Sequence, residues 1–228
     1  MDKIGKNVLK IKQDIKDAEK KFNRYSNSVL LMAVSKTQSV ENILKAYKAG
    51  QRDFGENYIQ ESIEKIIELK DLDITWHFIG KIQSNKSKHI AANFDWIHSV
   101  DKISTLKKIN DFRKNVEEKL NVCVQVNIDS EDSKSGIPVD EVEDFIIKAG
   151  KFEKLKIRGL MAIPMYHSDY DSQYKTFAKI KNLFDSLIKK NFKLDTLSIG
   201  MSSDYNAAIE AGSTIVRIGT SIFGERKK

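Results

Sequence analysis

Lys36 follows the apolar run Val29-Leu30-Leu31-Met32-Ala33-Val34 after a single serine, at the point where the sequence turns polar. A run of that length and composition reads as a buried strand, with a helix beginning near Val40. A lysine there sits at the carboxyl mouth of a parallel sheet, where α/β proteins place their ligands. An amine desolvated at such a mouth loses its proton and can condense with an aldehyde to a Schiff base. Lysine and arginine total 39 of 228 residues, so position singles Lys36 out and residue type does not.

Two later segments complement it. Gly200-Met201-Ser202-Ser203-Asp204 and Arg217-Ile218-Gly219-Thr220 each follow an apolar strand pattern. Gly200 and Gly219 let backbone approach a ligand closely, and Ser202, Ser203 and Thr220 offer hydroxyl donors. Ser202 or Ser203 is expected to open a helix whose leading N–H groups suit an anion. Taken singly, such segments are more often N-caps and tight turns. On adjacent strands, opposite a first-strand lysine, they read as a phosphate cradle. Arg217 interrupts the apolar strand Thr214–Ile218, and a buried guanidinium needs a partner, either an internal carboxylate or a ligand acceptor.

Other constellations are weaker. His77, His89, His98 and His167 lack metal-ligand spacing, and His77, alternating within Trp76-His77-Phe78, reads as a satisfied core histidine. Glu56 and Asp204 could pair, but nothing fixes their separation. There is no nucleophile elbow and no P-loop. Cys123, in the middle of VCVQVNI, reads as a small core residue.

The elements that would position these groups alternate. Strands are expected at 29–35, 52–54, 75–79, 95–98, 121–127, 156–161, 195–199 and 214–218. Helices are expected near 2–23, 40–49, 57–69, 84–92, 102–119, 138–149, 170–190 and 203–211. Short apolar strands without alternation are covered on both faces, and helical connections imply parallel pairing with right-handed crossovers. Eight strands close a barrel. An open doubly wound sheet would leave edges, and no G-x-G-x-x-G follows the first strand. The expected fold is therefore α/β, a single (β/α)8 TIM barrel spanning residues 1–228, with an extra N-terminal helix and lead-in (1–28) packed on it.

Composition removes other classes. The chain is 40% hydrophobic and 31% charged with only two prolines, which argues against disorder or a long linker. Its longest apolar run has six residues, too short for a membrane span or a signal peptide core. One cysteine cannot form an intrachain disulfide, so a cytoplasmic location is the default. The formal charge of +7 comes from lysines mixed with acidic residues along helices, as in IKQDIKDAEKK, and reads as a solvated surface. No nucleic-acid motif is present.

Together these segments resemble the pyridoxal phosphate homeostasis protein family, related to the barrel domain of alanine racemase. The matching stretches are AVSKT (33–37), FGENYIQE (54–61), WHFIG with QSNK (76–80, 83–86), QVNI (125–128), SKSGI (133–137), RGLMAIP (158–164), GMSSDYNAAIEAGST (200–214) and VRIGTSIFG (216–224). Two departures are visible: Lys81 replaces the proline usual after Gly80, and Ser203 stands where an acidic residue is often found. The resemblance implies pyridoxal 5′-phosphate held as a Schiff base on Lys36. It implies cofactor contacts from Asn57, Met201, Ser202, Arg217, Gly219 and Thr220, with Arg217 facing the ring nitrogen. An arginine there disfavours protonation of that nitrogen and weakens the electron sink.

Alanine racemase adds a tyrosine base from a further domain and a partner subunit, for which this chain has no room after its last strand. The resemblance thus implies a monomeric carrier that buffers or delivers the cofactor, with apo pyridoxal-phosphate enzymes as transient recipients, and with no metal, nucleic-acid or membrane partner. The alternative is an amino-acid racemase of low or narrow activity, with Tyr58, Tyr166 or Tyr205 as its second base. A cofactor-free Schiff-base aldolase stands third. Lys134, in the SKSGI loop, is either a transient acceptor of the cofactor or a solvated lysine.

Overall fold

The structure, a computed structural model, describes residues 2–129 and 135–225. Its centre is a ring of eight parallel strands: β1 (Leu30–Val34), β2 (Asp53–Glu56), β3 (Thr75–Phe78), β4 (Trp96–Val100), β5 (Leu120–Asn127), β7 (Leu155–Met161), β8 (Thr196–Met201) and β9 (Ile215–Ile218). A two-residue strand β6 (Ile137–Pro138) pairs only with the end of β5. Neighbours run β4-β3-β2-β1-β9-β8-β7-β5, and β4 pairs with β5 to close the barrel. The first and last strands lie side by side, Leu30 to Ala33 against Ile215 to Ile218. The expected (β/α)8 barrel is the fold observed.

Strand alternation sorts the core into two compartments. Outward residues such as Leu31, Ala33, Phe54, Phe78, Ile97, Leu160, Leu197 and Val216 join one continuous apolar cluster with the helices. Each of the larger side chains among them stabilises the fold by roughly 1.5–3 kcal/mol. The helices are α2 (Val40–Lys48), α3 (Ile59–Glu68), α4 (Ser87–Asn93), α5 (Ile103–Phe112), α6 (Val142–Ala149), α7 (Tyr170–Lys189), α8 (Tyr205–Ala211) and a single turn α9 (Thr220–Phe223). The leading helix α1 (Lys3–Lys21) is N-capped by Asp2 and buries Val8, Ile11, Ile15 and Ala18 against the barrel's outer layer.

Several helix limits differ from expectation, each for a local reason. The helix expected at 102–119 stops at Phe112. There the buried Arg113 donates to the carbonyls of Ala91 (2.6 Å) and Glu118 (2.7 Å) and draws the chain into a turn. The helix expected from 203 begins at Tyr205, because the Asp204 carboxylate accepts from the Met201 N–H (2.6 Å) and holds 201–204 as a turn. The helix expected from 57 begins at Ile59, with Tyr58 still extended. The patterns at 84 and 138 open as single 3-10 turns before α4 and α6. The turn α9 and strand β6 were not foreseen, and both are too short to show a periodicity.

The inward compartment is unusually polar. His77 and His98 are fully buried, with Nδ1 of His77 3.0 Å from Nε2 of His98. Nε2 of His77 lies 3.1 Å from the Asp53 carboxylate at the amino-terminal rim. Trp96 stacks on His77, and Arg158 lies over the Trp96 ring. His77 is thus the satisfied core histidine its alternation implied. Burial, then the neighbouring His77 and Arg217, push the His98 pKa well below its ordinary value. The native state therefore binds its proton less readily than the unfolded chain does. His98 contributes stability that is present above pH of about 6.5 and lost as pH falls below it, at up to about 1.4 kcal/mol per pH unit. We expect the urea midpoint to fall between pH 7.5 and pH 5.5, and His98→Asn to flatten that slope. An unchanged slope in the variant would refute the assignment.

Candidate functional site

At the carboxyl ends of β1, β8 and β9 lies a cavity of about 600 Å³. Lys36, Asn57, Met201, Ser202, Arg217, Gly219 and Thr220 all line it, so the fold brings together the seven residues singled out in the sequence. Ser203 and Ser221 add further hydroxyls, while Val34, Ile79, Met161 and Ile163 supply apolar wall. Ser221 could have been foreseen, since it stands in the first turn after Gly219. Nothing in the sequence marked the apolar wall residues, which arrive from three different strands.

Lys36 reaches the cavity because of its parity. Leu31 and Ala33 face the helices, so Met32, Val34 and Lys36 face inward. Its flanks are held from behind. The Ser35 N–H continues the ladder to the Gly55 carbonyl (2.9 Å), and the Ser35 hydroxyl donates to Glu56 Oε1 (2.7 Å). Lys65 Nζ donates to the Ser35 carbonyl (2.9 Å) and to Glu56 Oε1 (2.8 Å), and pairs with Glu61. Glu61 in turn accepts from the Thr37 N–H (2.6 Å). Thr37 adopts φ 65°, a left-handed conformation costing a β-branched residue roughly 1–3 kcal/mol. Burial raises the Glu56 pKa against the opposing pull of Lys65 and Ser35.

Arg217 has no carboxylate partner within salt-bridge distance among the described residues. Nη1 donates to the Ser198 carbonyl (2.6 Å) and to its hydroxyl (3.0 Å), and Nη2 to the Ala162 carbonyl (3.0 Å). These bonds hold the guanidinium plane across the barrel mouth, and burial draws its pKa down to about 10. Of the two partners the sequence left open, the internal carboxylate is not the one used. The Glu56 and Asp204 pairing is not formed either. Glu56 serves Ser35 and Lys65, and Asp204 binds the Met201 amide, its pKa raised by burial.

The Asn57 side-chain oxygen is buried and has no hydrogen-bond partner among the described residues, although it borders the cavity. Gly80 lets the strand-three loop pass close against it, since a Cβ there would stand 2.1 Å from the Asn57 carbonyl oxygen. A small polar ligand with a donor would satisfy that orphaned acceptor. The first turn of α9 adds the Thr220 and Ser221 N–H groups, which have no intrahelical acceptor. An amine, an orphaned amide, a fixed guanidinium and a hydroxyl-rich turn around an apolar wall suit a planar, phosphorylated aldehyde. The residues present fit pyridoxal 5′-phosphate.

None of the three candidate tyrosines lines this cavity. Tyr58 and Tyr166 are exposed, and the Tyr205 hydroxyl faces Asp14 of α1 at 3.4 Å. Cys123 is fully buried mid-strand, its thiol pKa pushed up by burial. Among the described residues no cluster of histidine, cysteine or carboxylate could hold a metal. Lys134 lies outside the described residues.

Residues 7–227 match the model of the alanine racemase N-terminal domain. The pyridoxal phosphate homeostasis protein of Vibrio alginolyticus is 47% identical over 230 residues, covering 99% of either chain. That of Escherichia coli K12 is 43% identical, covering 99% of this chain and 98% of its own. The chain belongs to the pyridoxal phosphate homeostasis protein family. Among solved structures, PipY of Synechococcus elongatus with PLP bound superposes with a TM-score of 0.81 at 34% identity, covering 92% of this chain and all of PipY. Alanine racemase of Clostridium difficile 630 superposes with a TM-score of 0.73 at 19% identity, over 98% of this chain and 58% of its own, which shows a shared fold.

Gly200 is the glycine this site most depends on. Its φ is +93°, and a Cβ would meet the Ala208 Cβ at 2.6 Å and the Tyr205 Cα at 3.2 Å. We expect Gly200→Ala to lower unfolding stability by about 1–3 kcal/mol through backbone strain and the α8 clash. Denaturant titration checks this, and a loss below a few tenths would show that the turn is not strained.

Proposed function

We propose that this protein binds pyridoxal 5′-phosphate in the cavity at the mouth of its barrel and serves to buffer or deliver it, with little or no turnover. The single observation carrying this reading is the convergence of Lys36, Asn57, Arg217 and the Met201–Ser202 and Gly219–Thr220 turns on one cavity. The similarity to proteins named for pyridoxal phosphate homeostasis, and to PipY with PLP bound, supports it. When bound, the cofactor supplies an aldehyde that captures amines and, with a protonated ring, an electron sink.

In this reading Lys36 holds the aldehyde carbon through its amine, and Ser202, Thr220 and the α9 amides hold the phosphate. Asn57 would offer its unpartnered side-chain oxygen as an acceptor, and Met201 would add to the surface that holds the group. Arg217, locked to the Ser198 and Ala162 carbonyls, would present positive charge to the ring nitrogen and disfavour its protonation. A weak sink suits a carrier, because a bound amino acid is not drawn into carbanion chemistry. The absence of all three tyrosines from the cavity lining supports the same conclusion. We place all of this in one barrel unit spanning the chain, monomeric and cytoplasmic, with apo enzymes as transient recipients. Among the described residues no helix is long and apolar enough to cross a membrane.

Racemase activity of low rate is the second reading, carried by the superposition on alanine racemase. Two measurements decide. Purified protein mixed with pyridoxal 5′-phosphate should show a visible absorption band that borohydride bleaches as it fixes the pyridoxyl group on Lys36, and Lys36→Ala should show neither the band nor the label. Deuterium wash-in at the α-carbon of alanine or serine should not exceed that of the free cofactor. Exchange above that rate would establish the racemase instead.

A further inference from the structure

Lys65 is almost fully buried, as is Glu56, yet neither lines the cavity. A buried lysine is costly and needs compensation. Here the compensation is directed at one place. Lys65 Nζ bonds to the carbonyl of Ser35, the residue before Lys36, and pairs with Glu61, which accepts the N–H of Thr37, the residue after it. The same ammonium neutralises Glu56, whose Oε1 also holds the Ser35 hydroxyl. The other carboxylate oxygen, Oε2, is buried without a partner, so this is no relaxed solvent-facing ion pair. All the polar bonds of one buried cation thus converge on the two residues flanking Lys36, one of them held in a left-handed conformation.

We infer that Lys65, with Glu56 and Glu61, is a positioning device that fixes the backbone on both sides of Lys36 and so aims its amine into the cavity. Lys65 does not touch the bound ligand. It sets the direction from which Lys36 meets the aldehyde, where the amine adds to the carbonyl carbon and water leaves. The inference rests on the site proposed above. It also separates two neighbouring lysines by environment: Lys36 opens on the cavity, while Lys65 is shut behind β1 by two carboxylates and a carbonyl and is not available to an aldehyde.

The test compares two ligands that differ only at the reacting carbon. Pyridoxal 5′-phosphate needs the amine to be aimed, whereas pyridoxine 5′-phosphate carries an alcohol there and reads ring and phosphate contacts alone. In Lys65→Met we expect pyridoxal 5′-phosphate to bind about tenfold more weakly, while pyridoxine 5′-phosphate changes by less than about twofold. Glu61→Ala, which removes the acceptor for Thr37 and one of the two carboxylates on Lys65 but leaves Lys65 bonded to Ser35 and Glu56, should show the same selectivity to a smaller degree. Lys65→Arg, which keeps the charge and its donors, should recover most of the loss. Should Lys65→Met fail to fold, the ratio in Glu61→Ala decides alone. Equal losses for the two ligands, or no loss for either, would overturn the positioning role and leave Lys65 merely structural. The wild-type control keeps the two ideas apart. Borohydride labelling of wild type at Lys36 is required by the site itself, and its absence would remove the site and this inference together.

Discussion

The pairing of the first strand with the last is the constraint on which the site depends. Leu30–Ala33 run beside Ile215–Ile218 in parallel, which closes the ring and brings residues about 180 positions apart to one rim. Lys36 then faces Gly219 and Thr220 across a seam one strand wide. On the next strand, β8 ends in the Met201–Ser203 turn, so amine and anion cradle share one wall. Opening the ring between β1 and β9 would leave Lys36 and Thr220 at opposite edges. Closure also removes unpaired strand edges, and eight parallel strands joined by helices achieve it without special residues.

Around that seam the protein spends polarity where most barrels place aliphatic layers. The interior holds Asp53, His77 and His98 in a bonded chain, Ser198 and Arg217 above them, and only a few apolar side chains such as Met32, Cys123 and Met161. Each polar group except His98 Nδ1 has an assigned partner or faces the cavity. A guanidinium held by carbonyls is held in place without being neutralised. This arrangement keeps a full positive charge available to whatever enters the mouth, which a salt bridge to Asp204 or Glu56 would have cancelled. The same logic in reverse applies behind β1, where Lys65 is neutralised by carboxylates and so is withheld from ligands.

These two treatments of charge accord with the cofactor-holding role proposed above. A catalyst of proton transfer at carbon needs a second acid–base opposite the lysine, within hydrogen-bond reach. The apolar part of the cavity wall is built from Val34, Ile79, Met161 and Ile163, with the orphaned oxygen of Asn57 at its border. Such a wall offers a flat apolar face to a planar ring.

What the linear sequence determined was the periodic part. Apolar runs such as 29–34 and 121–127, spaced by helical patterns, were enough for the barrel, because short unalternating apolar runs mark strands covered on both faces and the longer segments between them show the helical period. Several cavity-lining residues were legible for a related reason: Lys36, Ser202, Arg217, Gly219 and Thr220 break an apolar pattern at strand ends, whereas Asn57 and Met201 came only with the family resemblance. Helix ends such as Phe112 and Tyr205 were not legible, since they are set by single side chains, Arg113 and Asp204, folding back on distant or local backbone. Nor was Lys65, one lysine among many on an amphipathic helix. Its burial depends on Glu56 and Ser35 arriving from two other strands. That convergence is a property of the closed barrel alone, because burial of a charge is decided by what surrounds it in space and leaves no mark on spacing along the chain.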